Sequence, residues 1–393
     1  MENSLIYFRG NKILKRITGI LLVLFVFMNQ TSVQATTKEN IQLSMENIEE
    51  IITEYSPDLK IMKNNLKRDK EKYKDILDEI DDKESEVSSL ENQIKCEEQT
   101  TPLEVKEENK SDDLKNDLKS AKKELDSLKD EKQAAKHNLK VSNIRYEKDL
   151  QGLIESAQRQ YIQYVDTLLK KELKQYETNF KNKQVEINNI KYGNGFISKK
   201  EYEKNLDDIT DFNNELKEIE VKEKSELKDL LFSLGVPSNI DIKVDTNIKV
   251  DLDKISKINF EEDLDDMLLN NIDLKIKDME NHKVKDDSDI SDYEIKNNKI
   301  SLRQEEEKVK IEFQKKYNNL ILSSNLLKAR NDKLNKSQND ALIMQTKYNY
   351  GFVPKKQVDE LEVGLNNKNQ DFISQVNNLY MDYLSYIKMK DGY

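Results

Sequence analysis

The chain has 393 residues but no tryptophan, one cysteine, two histidines, nine glycines and four prolines. Each shortage closes a route. Cys96 has no second cysteine for an internal disulfide, and with His137 and His282 isolated there is no Cys/His metal set. No Asp-rich loop has calcium-binding spacing. Scarce helix breakers beside abundant Lys, Glu, Leu and Asn favour long, thin helices packed along stripes. Long apolar runs are also missing, apart from residues 17–28. That run is shorter than the roughly 20 residues a spanning helix needs. Arg9, Lys12, Lys15 and Arg16 precede it, and Val33-Gln34-Ala35 follows as a small-residue cleavage pattern. Residues 1–35 therefore read as a signal peptide, with an uncleaved N-terminal anchor as the other reading. Both readings export the remainder.

What is present is charge. Charged and apolar residues each make up 36% of the chain, and the formal net charge is -11. This is too little apolar material for a large globular core. Acid and base alternate as on solvated helix faces. No Lys/Arg-only cluster offers a surface for backbone phosphates, so a nucleic-acid partner is not expected.

The sequence repeats itself. KYGNGFISKK at 191–200 and KYNYGFVPKK at 347–356 share Lys, Tyr, Gly, Phe and the closing Lys-Lys at an offset of 156. The same offset aligns Tyr161 with Tyr317, Ile187 with Ile343 and Leu231 with Ile387. Earlier in each half, SPDLKI at 56–61 matches NIDLKI at 271–276 at an offset of 215. The first half therefore holds a surplus of about 59 residues between 61 and about 155.

The surplus has its own pattern. Tyr73, Ile76, Ile80, Val87, Leu90 and Ile94 follow a three-four spacing, with Lys83 at the vacant seat. After a polar stretch with Pro102, the spacing resumes at Leu114, Leu118, Ala121, Leu125 and Leu128. This predicts an antiparallel coiled-coil hairpin over about 73–135; pairing of the arms with another chain is the alternative. The seam then continues through Tyr146, Leu150, Leu153, Ala157, Tyr164 and Leu168. One helix is expected from about 114 to 192, with an interruption near Gly152, and its partner from about 199 to 233. The second half should repeat this near 303–348 and 355–390, after a helix from 260 to 279. Residues 240–259 alternate apolar and polar and read as an extended linker with a short strand. The expected fold class is all-α: elongated long-helix hairpins with coiled-coil packing, internally duplicated. The expected units are 36–239 and 260–393.

Gly195 and Gly351 sit between paired helices, where positive φ ends one helix and turns the chain. Ser198 suits an N-cap, and Pro354 occupies its place as a first-turn proline. Phe196 and Phe352 at polar tips should either cover the last helical turn or enter a partner, with Lys199, Lys200, Lys355 and Lys356 beside them. The tips carry no nucleophile–His pair, the many carboxylates single out no pair, and no Gly-rich phosphate loop is present. An enzyme is not expected, and no cofactor is called for.

These elements, in this order and doubled, resemble the TolC-like outer-membrane efflux protein family. The resemblance rests on the leader, the two-fold repeat and the tips YGNGFIS at 192–198 and YNYGFVP at 348–354. It rests also on EYSPDL at 54–59, like the family's Asn-Pro-x-Leu opening, and on Leu231 with Gly235 as its Leu-x-x-x-Gly ending. It covers most of 43–239 and 260–391, outside the surplus. The resemblance implies a homotrimer enclosing a hollow cylinder, with hairpin tips contacting a membrane-fusion adaptor and an inner-membrane pump, here of ABC type, driving efflux. It places Tyr192, Gly195, Phe196 and Ser198 at one adaptor-contacting tip and Tyr348, Gly351, Phe352 and Pro354 at the other. It implies an outer-membrane location through four β-barrel strands per chain. The sequence departs there: the first strand interval holds the charged insert, and 283–302 is short and polar. The expectation is a barrel-less helical body in the cell envelope. An exported coiled-coil scaffold or spacer, without transport, is the second expectation.

Overall fold

The computed structural model of the chain describes residues 40–100, 108–237, 240–286 and 291–393. The signal peptide expected over 1–35 and the insert's turn at 101–107 lie outside the described residues. Helices dominate: α1 (Ile48–Tyr55), α2 (Pro57–Thr100), α3 (Glu108–Gly193), α4 (Lys199–Leu234), α5 (Leu252–Ser256), α6 (Phe260–Asn270), α7 (Ile272–Asp286), α8 (Asp292–Asn349) and α9 (Lys355–Lys390). Among the described residues the strands are β1 (Asn40–Leu43) and β2 (Asp241–Val244). They pair in parallel, Asn40 opposite Asp241 and Leu43 opposite Val244.

Two through-helices organise the rest. The 86 residues of α3 make it about 130 Å long at about 1.5 Å per residue. Antiparallel to α3 lie α4 on one stretch and α2 on the other, together forming one broken column. Tyr164 Oη meets Glu223 Oε1 at 3.1 Å on the α4 side, and Ser142 Oγ meets Asp69 Oδ2 at 2.7 Å on the α2 side. The helices α9 and α7 flank α8 in the same way, with Arg330 Nη1 at 2.8 Å from Asp371 Oδ2. Contacts of α9 and α7 with α3 join the halves. The result is a layer of four columns in the order α2/α4, α3, α7/α9, α8.

The expected insert is an intramolecular coiled coil. Ile76, Ile80 and Val87 of α2 are buried against Ala121 and Leu125 of α3, flanked by Leu90, Leu118 and Leu128. At the vacant seat, Lys83 turns its ammonium to Glu86 at 2.7 Å and Glu124 at 2.8 Å. Helix lengths account for the surplus. The 44 residues of α2 exceed the 15 of α7 by 29. The 86 of α3 exceed the 58 of α8 by 28. Each arm of the first half thus projects roughly 40–45 Å farther than its counterpart, at about 1.5 Å per residue.

The structure differs from the sequence expectation in four places. Through Gly152, α3 runs without a break. A glycine inside a helix costs only about 1 kcal/mol, and Ile154 and Ala157 in the next turn are fully packed. The helix α8 begins at Asp292 rather than near 303, because α7 supplies a packing partner for its first turns. The helix expected over 260–279 breaks at Asn271. The linker at 240–259, expected extended, contains β2 but also α5, whose start is capped by Asp251 Oδ1 accepting from the N–H groups of Asp253 (3.0 Å) and Lys254 (3.2 Å).

The break at Asn271 repeats the one at Ser56. Ser56 Oγ accepts from Leu59 N–H at 3.3 Å, and Asn271 Oδ1 accepts from Leu274 N–H at 2.9 Å. Each side chain caps the helix that follows. The positive-φ glycines 195, 235, 351 and 392 close the four long hairpin helices. Gly195 and Gly351 have open space around them, whereas Gly235 and Gly392 are wedged onto the helix breaks. A Cβ at Gly235 would lie 2.7 Å from Ser56 Cα and from Pro57 Cδ; one at Gly392 would lie 2.2 Å from the Asn270 carbonyl oxygen. Ile272 stands where the first half has Pro57, and its extra N–H is satisfied by the Gly392 carbonyl at 3.0 Å.

Around these two clasps sits the core. In the first half, Leu43, Ile48 and Ile52 pack on Ala157, Tyr161, Val165, Leu230 and Leu234. In the second, Met267 packs on Phe313, Leu320, Leu379 and Tyr386. Phe313 and Tyr386 stack at 4.8 Å, and Tyr386 Oη donates to Asp263 Oδ2 at 2.7 Å. At an offset of 156, Ala157 and Leu230 become Phe313 and Tyr386.

Gly235→Ala should destabilise the chain more than Gly195→Ala in thermal unfolding followed by circular dichroism. Both substitutions incur the left-handed backbone cost, roughly 1–2 kcal/mol, but only Gly235→Ala must displace backbone across the clasp.

Tyr161, Tyr164 and Tyr386 are held neutral above the ordinary tyrosine range, chiefly because burial disfavours the phenolate. The unfolded chain releases these protons near pH 10, the folded chain only above it. The stabilisation is complete below about pH 10 and is lost as pH rises through the raised values. The unfolding midpoint should fall steadily above about pH 10, and Tyr386→Phe should shrink that fall.

Candidate functional site

The two hairpin tips are built alike because their backbones are. At the first, Gly195 has φ 76°; its N–H donates to Tyr192 O at 2.9 Å and that of Phe196 to Lys191 O at 2.8 Å. At the second, Gly351 also has φ 76°; its N–H donates to Tyr348 O at 2.9 Å and that of Phe352 to Lys347 O at 2.9 Å. This six-to-one and five-to-two pairing is a Schellman motif, which satisfies carbonyls at a helix end. Because nothing crowds either glycine, each is required for φ and not for space.

The helices that leave the tips start differently. Ser198 is the N-cap of α4, and its Oγ accepts from Glu201 N–H at 3.1 Å. Pro354 is the N-cap of α9, with φ -74° and ψ 153°. It lies one position outside the first turn that the sequence suggested. There its missing N–H costs nothing, and its carbonyl accepts from Gln357 N–H at 3.1 Å.

The sequence leaves Phe196 and Phe352 either covering the last helical turn or entering a partner. Each is 78% exposed. At that exposure each ring leaves most of its surface open to solvent. Tyr192 behaves otherwise: its ring stacks on Tyr202 across the hairpin, with centroids 4.8 Å apart and planes 1° apart. At the second tip Val358 occupies the place of Tyr202. Tyr348 therefore lacks that stack, and Tyr350 lies 6.4 Å from Phe352 instead. Sequence reasoning missed Tyr202 and Tyr350; the ten-residue step from Tyr192 to Tyr202 across a known turn was the available signal. Lys199, Lys355 and Lys356 pair along their own helices with Glu203, Asp359 and Glu360 at 3.4–3.8 Å. Such pairs contribute only about 0.3–0.5 kcal/mol, so these ammonium groups are free to exchange partners. The first tip thus presents Phe196, and the second Tyr350 and Phe352, beside lysines on glycine turns. Among the described residues, no group of three His, Cys, Asp or Glu is placed to hold a metal ion, and no helix is long and apolar enough to cross a membrane.

No protein-family model matches the sequence, and no curated protein matches it. Solved structures do match the fold. A membrane protein from Pseudomonas aeruginosa superimposes with a TM-score of 0.54 at 11% identity, covering 90% of this chain and 91% of its own. The outer membrane protein VceC from Vibrio cholerae gives 0.53 at 12% identity, covering 88% and 96%. CusC, described in terms of transmembrane channel formation, gives 0.52 at 10% identity, covering 92% and 96%. The chain therefore shares the overall fold of these three proteins over nearly its whole length. Where the TolC-like resemblance places barrel strands in the first half, it has the α2–α3 arm.

Ser198→Ala should lower stability by about 1 kcal/mol, the usual cost of a lost N-cap. Amide exchange should quicken in the first turn of α4 and stay unchanged in the first turn of α9.

Proposed function

We propose that the chain is a TolC-like component of a cell-envelope efflux or export system. In this reading it forms a homo-oligomer, a homotrimer by family resemblance, around a central passage. Its tips, through Tyr192, Gly195, Phe196, Ser198, Tyr348, Gly351, Phe352 and Pro354, dock a membrane-fusion adaptor linked to an ABC-type transporter. The observation that carries it is the pair of exposed phenylalanines, held on matching backbone turns in a frame shared with outer-membrane channels. An exposed ring on a rigid turn loses little entropy on docking and buries a large apolar area. The helical arm in place of the first half's barrel strands favours an exported envelope body without a conventional barrel. The same arm supports a second reading, an exported coiled-coil scaffold or spacer with no transport role. The units 36–239 and 260–393 are then the two repeats, joined through 240–259.

Replacing Phe196 and Phe352 together with Glu tests the docking role. Co-isolation of a membrane-fusion adaptor with the full chain should drop at least tenfold while helicity by circular dichroism is unchanged. Undiminished capture rejects the docking role. Electron microscopy separates the two readings: closed rings with a lumen support the duct, and dimers or solid bundles support the scaffold.

A further inference from the structure

Residues 60–74 of α2 hold seven basic residues and two acidic ones, a net of +5 in a chain whose net charge is -11. In linear order Asp69 and Glu71 interrupt them, so no cluster stands out. The helix sorts them. Lys60, Lys63, Lys67, Lys70 and Lys74 step by three and four residues and form one exposed stripe. Asp69 turns inward, where its Oδ2 accepts from Ser142 Oγ of α3 at 2.7 Å. Glu71 stands at the edge of the stripe, 3.6 Å from Lys67. Other acids collect on the opposite flank, at Asp75, Glu79, Asp82 and Glu86. From Lys60 to Lys74 the stripe runs about 21 Å at about 1.5 Å per residue.

The stripe is set apart by what does not face it. Farther along the arm, Lys115, Lys122 and Lys129 of α3 meet Glu98, Glu91 and Glu84 of α2 at 3.9, 2.8 and 3.2 Å. Each step on either helix is one heptad. Continued toward the core, the same flank of α2 carries Leu77, Lys70 and Lys63, and that of α3 carries Lys136 and Asn143. The acids stop where the lysines begin. Lys136 and Lys140 add two exposed ammonium groups on this side. Among the described residues, neither of these nor Lys60, Lys63, Lys70 and Lys74 has an ion-pair partner. Like charges three and four residues apart destabilise a helix, so the stripe carries a cost with no return inside the chain. The second half does not share it. The offset of 215 carries Lys60, Lys63, Lys67 and Lys70 onto Lys275, Asp278, His282 and Lys285, and there Asp278 lies 3.5 Å from His282.

We propose that this lysine face binds a linear, phosphate-bearing polyanion of the cell envelope. The inference goes beyond the efflux or export reading and takes from it only the envelope location. Lysine suits such a ligand, because ammonium groups on flexible stems follow a chain of phosphates without a fixed geometry. A row of charges one helix wide matches a linear chain better than a plane of lipid headgroups. A helix lying on a membrane also needs apolar side chains that enter the acyl boundary. This flank offers only Leu77, which is half-buried, while the exposed Ile61 lies on the acidic flank. The bound polymer tethers the protein at the base of its arm.

Fluorescence anisotropy of labelled inorganic polyphosphate, titrated with the full chain, tests the proposal. A chain of net charge -11 has no general attraction for a polyanion, so saturable binding should depend on the stripe. With five to seven phosphates neutralised, affinity should fall about a hundredfold or more between about 50 and about 200 mM salt. Lys63→Glu with Lys70→Glu should weaken binding at least tenfold. The same pair turns four repulsions along the stripe into attractions, so thermal unfolding should come at the same or a higher temperature. Lys119→Glu with Lys123→Glu makes an equal charge change elsewhere on the arm and should leave binding within about twofold. No saturable binding by the unmodified chain, or equal losses in the two double variants, overturns the proposal. Tighter binding to vesicles of phosphatidylcholine and phosphatidylglycerol than to polyphosphate, lost in the stripe variant, assigns the face to a lipid surface and overturns the polymer. Either failure leaves the efflux or export reading standing, since rings and adaptor capture test that separately.

Discussion

Everything in this fold hangs on two places where a glycine with positive φ is pressed against a break between helices. Gly235 closes on Ser56 and Pro57, and Gly392 closes on Asn270 and Ile272. The contact lets a helix end stop beside the start of another, so that two helices share one face of a longer partner. Without it α2 and α4, or α7 and α9, could not line up as columns along α3 and α8. The clasp also explains an exchange that looks like loss of a motif. Pro57 brings no N–H to the crowded break. Ile272 brings one, and the Gly392 carbonyl takes it at 3.0 Å. Two chemistries satisfy one geometric demand.

Above and below these clasps the structure thins to seams. A two-helix arm buries little more than one stripe, and its stability rests on few residues per turn. Hence α2 and α3 meet through Ile76, Ile80, Val87, Ala121 and Leu125, while charged residues cover the outside. The clasp regions instead bury whole aromatic side chains, with Tyr161 and Tyr386 at 1% and 0% exposure. The tips need neither. They are single turns whose shape comes from glycine and whose exposed rings lie away from the core.

Much of this was legible because helices transmit register. An offset of 156 fixed at one glycine turn holds along two helices with no insertion, and α4 and α9 indeed have 36 residues each. The three-four spacing told which residues of the insert face inward, and the surplus of about 59 divides almost evenly between its two arms. What was hidden was hidden for physical reasons. The break at Asn271 has no proline to mark it, since its cap is an Asn side chain. Gly152 read as an interruption, but packing on either side outweighs one glycine in a long helix. The order of the columns could not be read, because the seam between halves is partly polar and gives no hydrophobic period. The exposure of Phe196 and Phe352 also needed coordinates, because a covered ring and an exposed ring have the same sequence.

Stability should therefore be concentrated at the clasps and fall away toward both ends, since local opening tracks buried apolar contact. Native-state hydrogen exchange of the full chain measures this residue by residue. The slowest amides should lie in α3 around Ile154 to Val165, in α8 around Val309 to Leu320, and in the last turns of α4 and α9. The far end of the α2–α3 arm and both hairpin tips should open at distinctly lower free energy. Slowest exchange in the arm or at the tips, or one uniform level of protection along α3, would contradict the account.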